Sequence, residues 1–219
     1  MITEYFPLYG LLLRTPRLEL RLSTLDELGQ LASVACAGIH PPEEQPFSEP
    51  WTDQPPERLG LSVVQHHLQK AAEWTPQSWS LNLAVLYEGE AVGIQDLGAR
   101  DFAVARQVHT GSWLGRAHQG KGIGTEMRAA VLHLAFAELG AVSAKTALIE
   151  GNARSEGVSR RLGYRYDGVD VISNRGRRAL ERRMRLSRED WDGHRTVEVA
   201  VEGLEACRGF FAAEDADTP

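Results

Sequence analysis

Cysteine and lysine are scarce in this sequence, long apolar runs are missing, and positive charge is not in excess. The two cysteines, Cys36 and Cys207, share no C-x-x-C spacing. That excludes a disulfide framework and a thiolate zinc site, and it predicts two small buried hydrophobes. No metal is implied. The leucines at 11–13 are too few for a signal or membrane helix, and the longest apolar region, 129–139, is broken by His133 and Glu138. A cytoplasmic chain without a membrane partner is expected. Net charge is −6, from 30 acidic and 24 basic residues. That argues against a nucleic-acid partner held mainly through phosphates, and leaves room for a local basic pocket.

Glycine, by contrast, is plentiful: 21 of 219 residues, in a chain long enough to bury a core as one domain or a domain with an extension. Leu18, Leu20 and Leu22 alternate with charged residues, as in a half-buried strand. Thr24 and Glu27 form a capping-box pair ahead of helically spaced Leu25, Leu28, Leu31 and Ala35. Six of the ten prolines fall within 41–56, around Phe47 and Trp51, which predicts a loop that either packs on the core or walls a cleft. A helix over 56–74 leads into a β-hairpin turning at Glu88-Gly89-Glu90, then a polar loop over 98–106 and a strand over 107–114. After that strand come a glycine turn, a helix with Ile123, Met127, Ala130, Val131, Leu134 and Leu139 on one face, and a strand over 144–149. A short helix over 155–162 and a late strand over 179–186 complete an α+β pattern with a mixed sheet.

The densest glycine cluster, Gln119-Gly120-Lys121-Gly122-Ile123-Gly124-Thr125, sits where the strand gives way to the helix. Glycines let a phosphate approach the backbone, and the N–H groups and dipole of a helix start favour negative charge. Residues 115–121 have Walker A spacing, but Gly122 stands where a Ser or Thr must hold Mg²⁺. A dinucleotide fingerprint fits no better, because the spacing is G-x-G-x-G and a hairpin comes first.

Residues 111–125 resemble the acyl-CoA-binding motif of the GCN5-related N-acyltransferases, with Gln119, Gly122 and Gly124 meeting its [Q/R]-x-x-G-x-[G/A] pattern. Asn152-Ala153-Arg154-Ser155, with Arg161-Leu162-Gly163-Tyr164 downstream, is similar to the family's second motif. The segments Arg14-Thr15-Pro16-Arg17-Leu18 and 184–191 resemble its ribosomal-protein-alanine-acetyltransferase-like subgroup. Segments 46–51, 111–114 and 124–132 and the tail 194–199 look like actinobacterial members that include a mycobacterial succinyl-CoA-dependent succinyltransferase. The resemblance covers about 14–191. It implies the family's fold over 1–191, mostly antiparallel with flanking helices, followed by an extension over 192–219.

The resemblance also implies direct attack of a primary amine on an acyl-CoA thioester, with acetyl-CoA or succinyl-CoA as co-substrate and no permanently bound cofactor. The acceptor is a small-molecule or protein amine. Backbone N–H groups at Gln119, Gly120, Lys121, Gly122, Ile123, Gly124 and Thr125 hold the pyrophosphate, with the Lys121 side chain as a further phosphate contact and Arg160 or Arg161 near the ribose phosphate. The strand at Trp113 and Leu114 pairs with the pantetheine arm, and the Leu114 N–H meets the thioester oxygen. Asn152 bonds the pantetheine region. Ser155 is the candidate donor to the leaving thiolate, or an N-cap, because Ser159 stands where many relatives carry a tyrosine acid. Water is a third possibility. His109 stands where relatives often carry a glutamate base; Asp96, Asp101 and water are alternatives. These altered positions keep a rival reading open, a non-catalytic CoA-binding sensor or interaction module. His66 and His67 read as surface or cleft residues, and the arginine run 175–188 as a solvated face. Val197, Val199 and Val201 alternate like a strand that needs an edge, on the same sheet or on another subunit of a homo-oligomer. The acidic end, 214–217, is expected to fray.

Overall fold

The computed structural model describes residues 1–213, so the acidic end lies outside the described residues. The chain order is α1 (Ile2–Tyr5), β1 (Leu12–Arg14), β2 (Leu18–Leu22), α2 (Leu25–Ala37), α3 (Pro56–Ala72), β3 (Ser78–Tyr87), β4 (Glu90–Arg100), α4 (Phe102–Ala105), β5 (Gln107–Leu114), α5 (Ile123–His133), β6 (Ser143–Ile149), α6 (Ala153–Arg161), β7 (Arg165–Asn174), β8 (Arg177–Ser187), α7 (Arg188–Asp192), β9 (Ala200–Glu202) and α8 (Leu204–Cys207). The strands form one sheet in the order β7-β8-β6-β5-β4-β3-β2-β1-β9. Every neighbouring pair is antiparallel except β5 and β6. This is the expected α+β architecture, with helices on both faces.

Alternation along β3 shows why two cores form. Trp79, Leu81, Leu83 and Val85 point to one face and pack with Met127, Ala130 and Val131 of α5. Ala84 and Leu86 point to the other, with Leu28, Leu31 and Ala35 of α2 and Val63 of α3. The helix α2 starts at the expected capping box: Thr24 Oγ1 accepts from the Glu27 N–H (3.2 Å) and Glu27 Oε2 from the Thr24 N–H (2.8 Å). The β3–β4 turn places Glu88 (φ 54°) and Gly89 (φ 84°) in the left-handed region, as a two-residue hairpin turn demands.

Several expectations need correction. The segment 98–106 is not a loop: β4 continues to Arg100, and α4 buries Phe102 completely. The strand β7 gave no periodic signal because it is an edge with no buried apolar face; Val169 and Val171 stay exposed. Cross-strand ion pairs, Arg183 with Asp170 and Arg185 with Asp167 (3.0 Å), tie it to β8. Cys207 is buried, but Cys36 is exposed, its Sγ 3.1 Å from the Pro56 carbonyl. Only Ala200–Glu202 of the valine-alternating stretch is strand, and it pairs with β1 of the same chain. The edge that made an oligomer attractive is therefore filled internally, while Leu204, Cys207 and Phe211 join the main core. No helix among the described residues is long and apolar enough to cross a membrane.

Candidate active site

The parallel pair β5–β6 keeps register only at residues 107–109 against 143–145. Thr146 Oγ1 then donates to the Thr110 carbonyl (3.1 Å), and the strands part. The gap opens into a cleft of about 540 Å³ lined by residues 112–114 of β5, the glycine loop, one face of α5, and 152–155 with Val158 and Arg161 at α6.

At the cleft's entrance, Gly120 (φ 74°) and Gly122 (φ 82°) hold left-handed conformations that present successive N–H groups outward. The N–H groups of residues 120–124 have no acceptor among the described residues. Gln119 and Thr125 do not add theirs: the Gln119 N–H closes a turn on the Arg116 carbonyl (3.3 Å) and the Thr125 N–H returns to Gly122 (3.1 Å). The expected seven-amide cradle thus reduces to five. Ile123 buries its side chain completely, so only its N–H is available. Lys121 is exposed and does not line the cleft; its carbonyl accepts from Arg17 Nη1 (3.0 Å). A Cβ on Gly124 would make only ordinary contacts with Val158 and Leu114. The bare Cα therefore serves what enters the cleft rather than the fold.

Sequence reasoning missed what fixes this loop. Glu126, in the first turn of α5, is buried yet accepts from Arg17 Nε (2.7 Å), the Arg17 N–H (3.1 Å) and Thr15 Oγ1 (2.6 Å). The segment Arg14-Thr15-Pro16-Arg17-Leu18 was the available signal, and its role is to clamp the helix start. Gln119 acts through its side chain, donating to the carbonyls of Leu114 (2.8 Å) and Ile39 (2.7 Å) and accepting from Arg154 Nη1 (2.9 Å).

The Gly115 N–H bonds the Val92 carbonyl of β4 (3.0 Å). Antiparallel alternation then turns the N–H and C=O of Leu114 away from β4, to the cleft side. Across the cleft, Asn152 rather than Ser155 is the N-cap of α6: its Oδ1 accepts from the Ser155 N–H (3.1 Å), and its Nδ2 leans on the Pro46 carbonyl (3.4 Å). The Ser155 hydroxyl has no hydrogen-bond partner among the described residues and lies beside the cleft, whereas Ser159 is fully buried and donates to the Ser155 carbonyl (2.9 Å). Of the two adjacent arginines, Arg161 lines the cleft and Arg160 pairs outward with Glu156 (2.7 Å).

A second cavity, about 430 Å³, lies on the other face of β5. It shares Phe47, Ser112 and Trp113 with the first, so the two meet at that strand. Trp51 packs, tilted, between Phe47 (5.2 Å) and Trp113 (6.0 Å), which makes the proline-rich loop both packed and cleft-forming. The loop is held from the β7–β8 hairpin, where Asn174 Nδ2 donates to the Phe47 carbonyl (2.7 Å) and Arg175 pairs with Asp53 (2.6 Å). Asp96 and His109 both line this cavity, with His109 Nε2 3.6 Å from Asp96 Oδ2. Burial pushes the Asp96 carboxyl up to about 6, against the opposing hydrogen bond from Ser80 Oγ (2.6 Å). Burial, aided by Lys145 and Lys70, lowers the His109 pKa. Each faces a glycine across the β4–β5 ladder: Asp96 opposes Gly111, and His109 opposes Gly98, where a Cβ would overlap the imidazole. His66 and His67 complete the wall, as cleft residues. Asp101 does not line it.

Fold and cleft define an α+β domain whose βαβ unit presents an amide cradle beside a splayed sheet. Residues 17–165 match the acetyltransferase (GNAT) domain, and the chain belongs to that family, whose members use acetyl-CoA as co-substrate. Among solved structures, RimJ of Mycobacterium smegmatis, in complex with a CoA disulfide, superposes with a TM-score of 0.68 at 17% identity, over 92% of this chain and 94% of that one. A GCN5-related N-acetyltransferase from Brucella melitensis gives 0.67 at 17%, over 84% and 81%. The ribosomal L7/L12 α-N-protein acetyltransferase RimL, in complex with coenzyme A, gives 0.60 at 18%, over 78% and 94%.

Proposed function

We propose that this chain transfers an acyl group, acetyl or succinyl, from CoA to a primary amine by direct attack. The observation that carries the reading is the meeting of two cavities across β5, one headed by five unbonded amides and the other lined by two candidate bases. The pyrophosphate sits on the N–H groups of residues 120–124, and the pantetheine arm lies along β5 in the gap before β6. The Leu114 N–H polarises the thioester oxygen. The acceptor enters through the second cavity, whose wall includes Trp51 and Trp113, and its ammonium gives up a proton to Asp96 or, through it, to His109. The amine lone pair then attacks the carbonyl carbon; the C–N bond forms, the C–S bond breaks, the thiolate takes a proton from the Ser155 hydroxyl or water, and the second amine proton returns to that donor, leaving a neutral amide and free thiol. Neither cysteine lines either cavity, which supports transfer without a thiol intermediate. The acceptor is a small-molecule or protein amine.

The test is calorimetric titration with acetyl-CoA, succinyl-CoA and free CoA, followed by thiol release over a panel of amines. Binding with amine-dependent release is expected. Binding with no release on any amine would instead favour the CoA-binding module, a reading supported by the full engagement of Ser159 within the protein.

A further inference from the structure

The turn that joins β7 to β8 breaks a local rule. Arg175 (φ 48°) and Gly176 (φ 68°) are both left-handed, the pattern of a two-residue hairpin turn whose first place normally goes to Asn, Asp or Gly. An arginine there is conformationally costly, and its side chain shows what offsets the cost. Nε and Nη2 donate to the two oxygens of Asp53 (2.6 Å each), and Nη2 also donates to the Pro42 carbonyl (3.3 Å). Beside it Asn174, buried at the end of β7, donates through Nδ2 to the carbonyls of Phe47 (2.7 Å) and Ser48 (3.0 Å), and Glu181 of β8 accepts from Ser48 Oγ. All of these partners belong to the proline-rich loop. The loop leaves α2 after Ala37 and returns to α3 at Pro56, yet its middle is fastened to the edge hairpin. Phe47 is the residue so held. Together with Ser112 and Trp113 of β5 it lines both cavities, so it stands where they meet, and Trp51 links its ring to that of Trp113.

We propose that Asn174 and Arg175 are positioning residues for the transfer: the hairpin tip is a latch that holds Phe47 over the seam between the cavities, aligns the acceptor amine and keeps bulk water from the thioester. The inference rests on the transfer reaction proposed above. Water competes with the amine for the same carbonyl carbon. When water wins, its oxygen forms the C–O bond, the C–S bond breaks, and the products are a carboxylate, a proton and the free thiol. An aromatic ring fixed at the seam denies water that approach, and a ring released from the latch admits it. The latch also accounts for an arginine at a turn position where glycine would be easier to accommodate.

The test uses the full-length chain, acetyl-CoA and an amine that supports thiol release by the wild type. Arg175→Gly relieves the left-handed turn and opens the pair with Asp53. Its Tm is expected to hold while kcat/KM for the amine falls about tenfold, amine-free thiol release rises about tenfold, and affinity for free CoA stays within about twofold. Arg175→Asp suits the turn but sets a like charge against Asp53, and is expected to uncouple the reaction further. Adding Asp53→Arg reverses the pair and is expected to bring the ratio of amine-dependent to amine-free release back to within about threefold of wild type. A wild-type ratio in both Arg175→Gly and Arg175→Asp, or one that the reversed pair does not improve over Arg175→Asp alone, would overturn the latch. So would a lowered Tm with both rates reduced by equal factors, which marks a role in folding alone. Wild-type binding of CoA with no thiol release on any amine would instead overturn the transfer reading, and the latch with it.

Discussion

The two cavities that flank β5 are made of different materials. The donor cleft is headed by main-chain amides from one contiguous loop, and the side chains around it, Arg17, Glu126 and Gln119, hold that loop in place. The acceptor cavity is a mosaic of side chains from the proline-rich loop, α3, β3, β4 and β5. A backbone site is insensitive to most neighbouring side-chain changes but vulnerable to an added Cβ. A side-chain site is retuned by single substitutions, which is how one donor can be combined with different acceptors.

The sharpest way to separate the cavities is Asp96→Asn. On the acceptor side alone, it should lower kcat by about 10²–10³-fold while acetyl-CoA affinity holds. Because Asp96 must be ionised to take a proton and its pKa is raised to about 6, wild-type kcat/KM should climb as pH rises through 6 and level above it. Loss of that limb in Asp96→Asn, with the limb kept in His109→Gln, assigns the proton to Asp96; the reverse pattern assigns it to His109. Next in size, Glu126→Ala strands Arg17 and frees the glycine loop. Thermal or urea unfolding should show a loss of about 1–3 kcal/mol from the lost hydrogen bonds, with weakened CoA binding and unchanged acceptor KM in the surviving fold. Trp51→Ala should do the opposite, raising acceptor KM about tenfold, or ~1.4 kcal/mol, with donor affinity intact. The smallest effect belongs to Arg183→Gln, which opens an exposed pair with Asp170. Stability should change by less than about 1 kcal/mol and neither cavity should respond; a larger effect would tie the β7–β8 surface to the site.

The same contrast governs how much was legible in the sequence. The β5–α5 junction was readable because glycine spacing is a local signal, and the capping box at Thr24 and Glu27 was readable for the same reason. The edge strand β7 was not, since an element without a buried face leaves no hydrophobic period. Gln119 and Thr125 were counted into the cradle because sequence cannot show which amides the turn itself consumes. Asn152, taken from its motif as a ligand contact, lines the cleft and in addition caps its own helix, a second role its motif did not show. Arg175 was invisible for a different reason: an arginine within an arginine run looks solvated until the hairpin is placed and its guanidinium is found on Asp53.

The central claim is that residues 120–124 hold CoA through backbone N–H groups. Calorimetric titration of free CoA into the wild type and into Gly122→Ala/Gly124→Ala tests it most directly, because alanine strains the φ 82° position and places a methyl group in the cleft. One-to-one binding by the wild type and a loss of at least about 100-fold in the variant, or ~2.7 kcal/mol, is the predicted result. Equal affinity in a folded variant would contradict it.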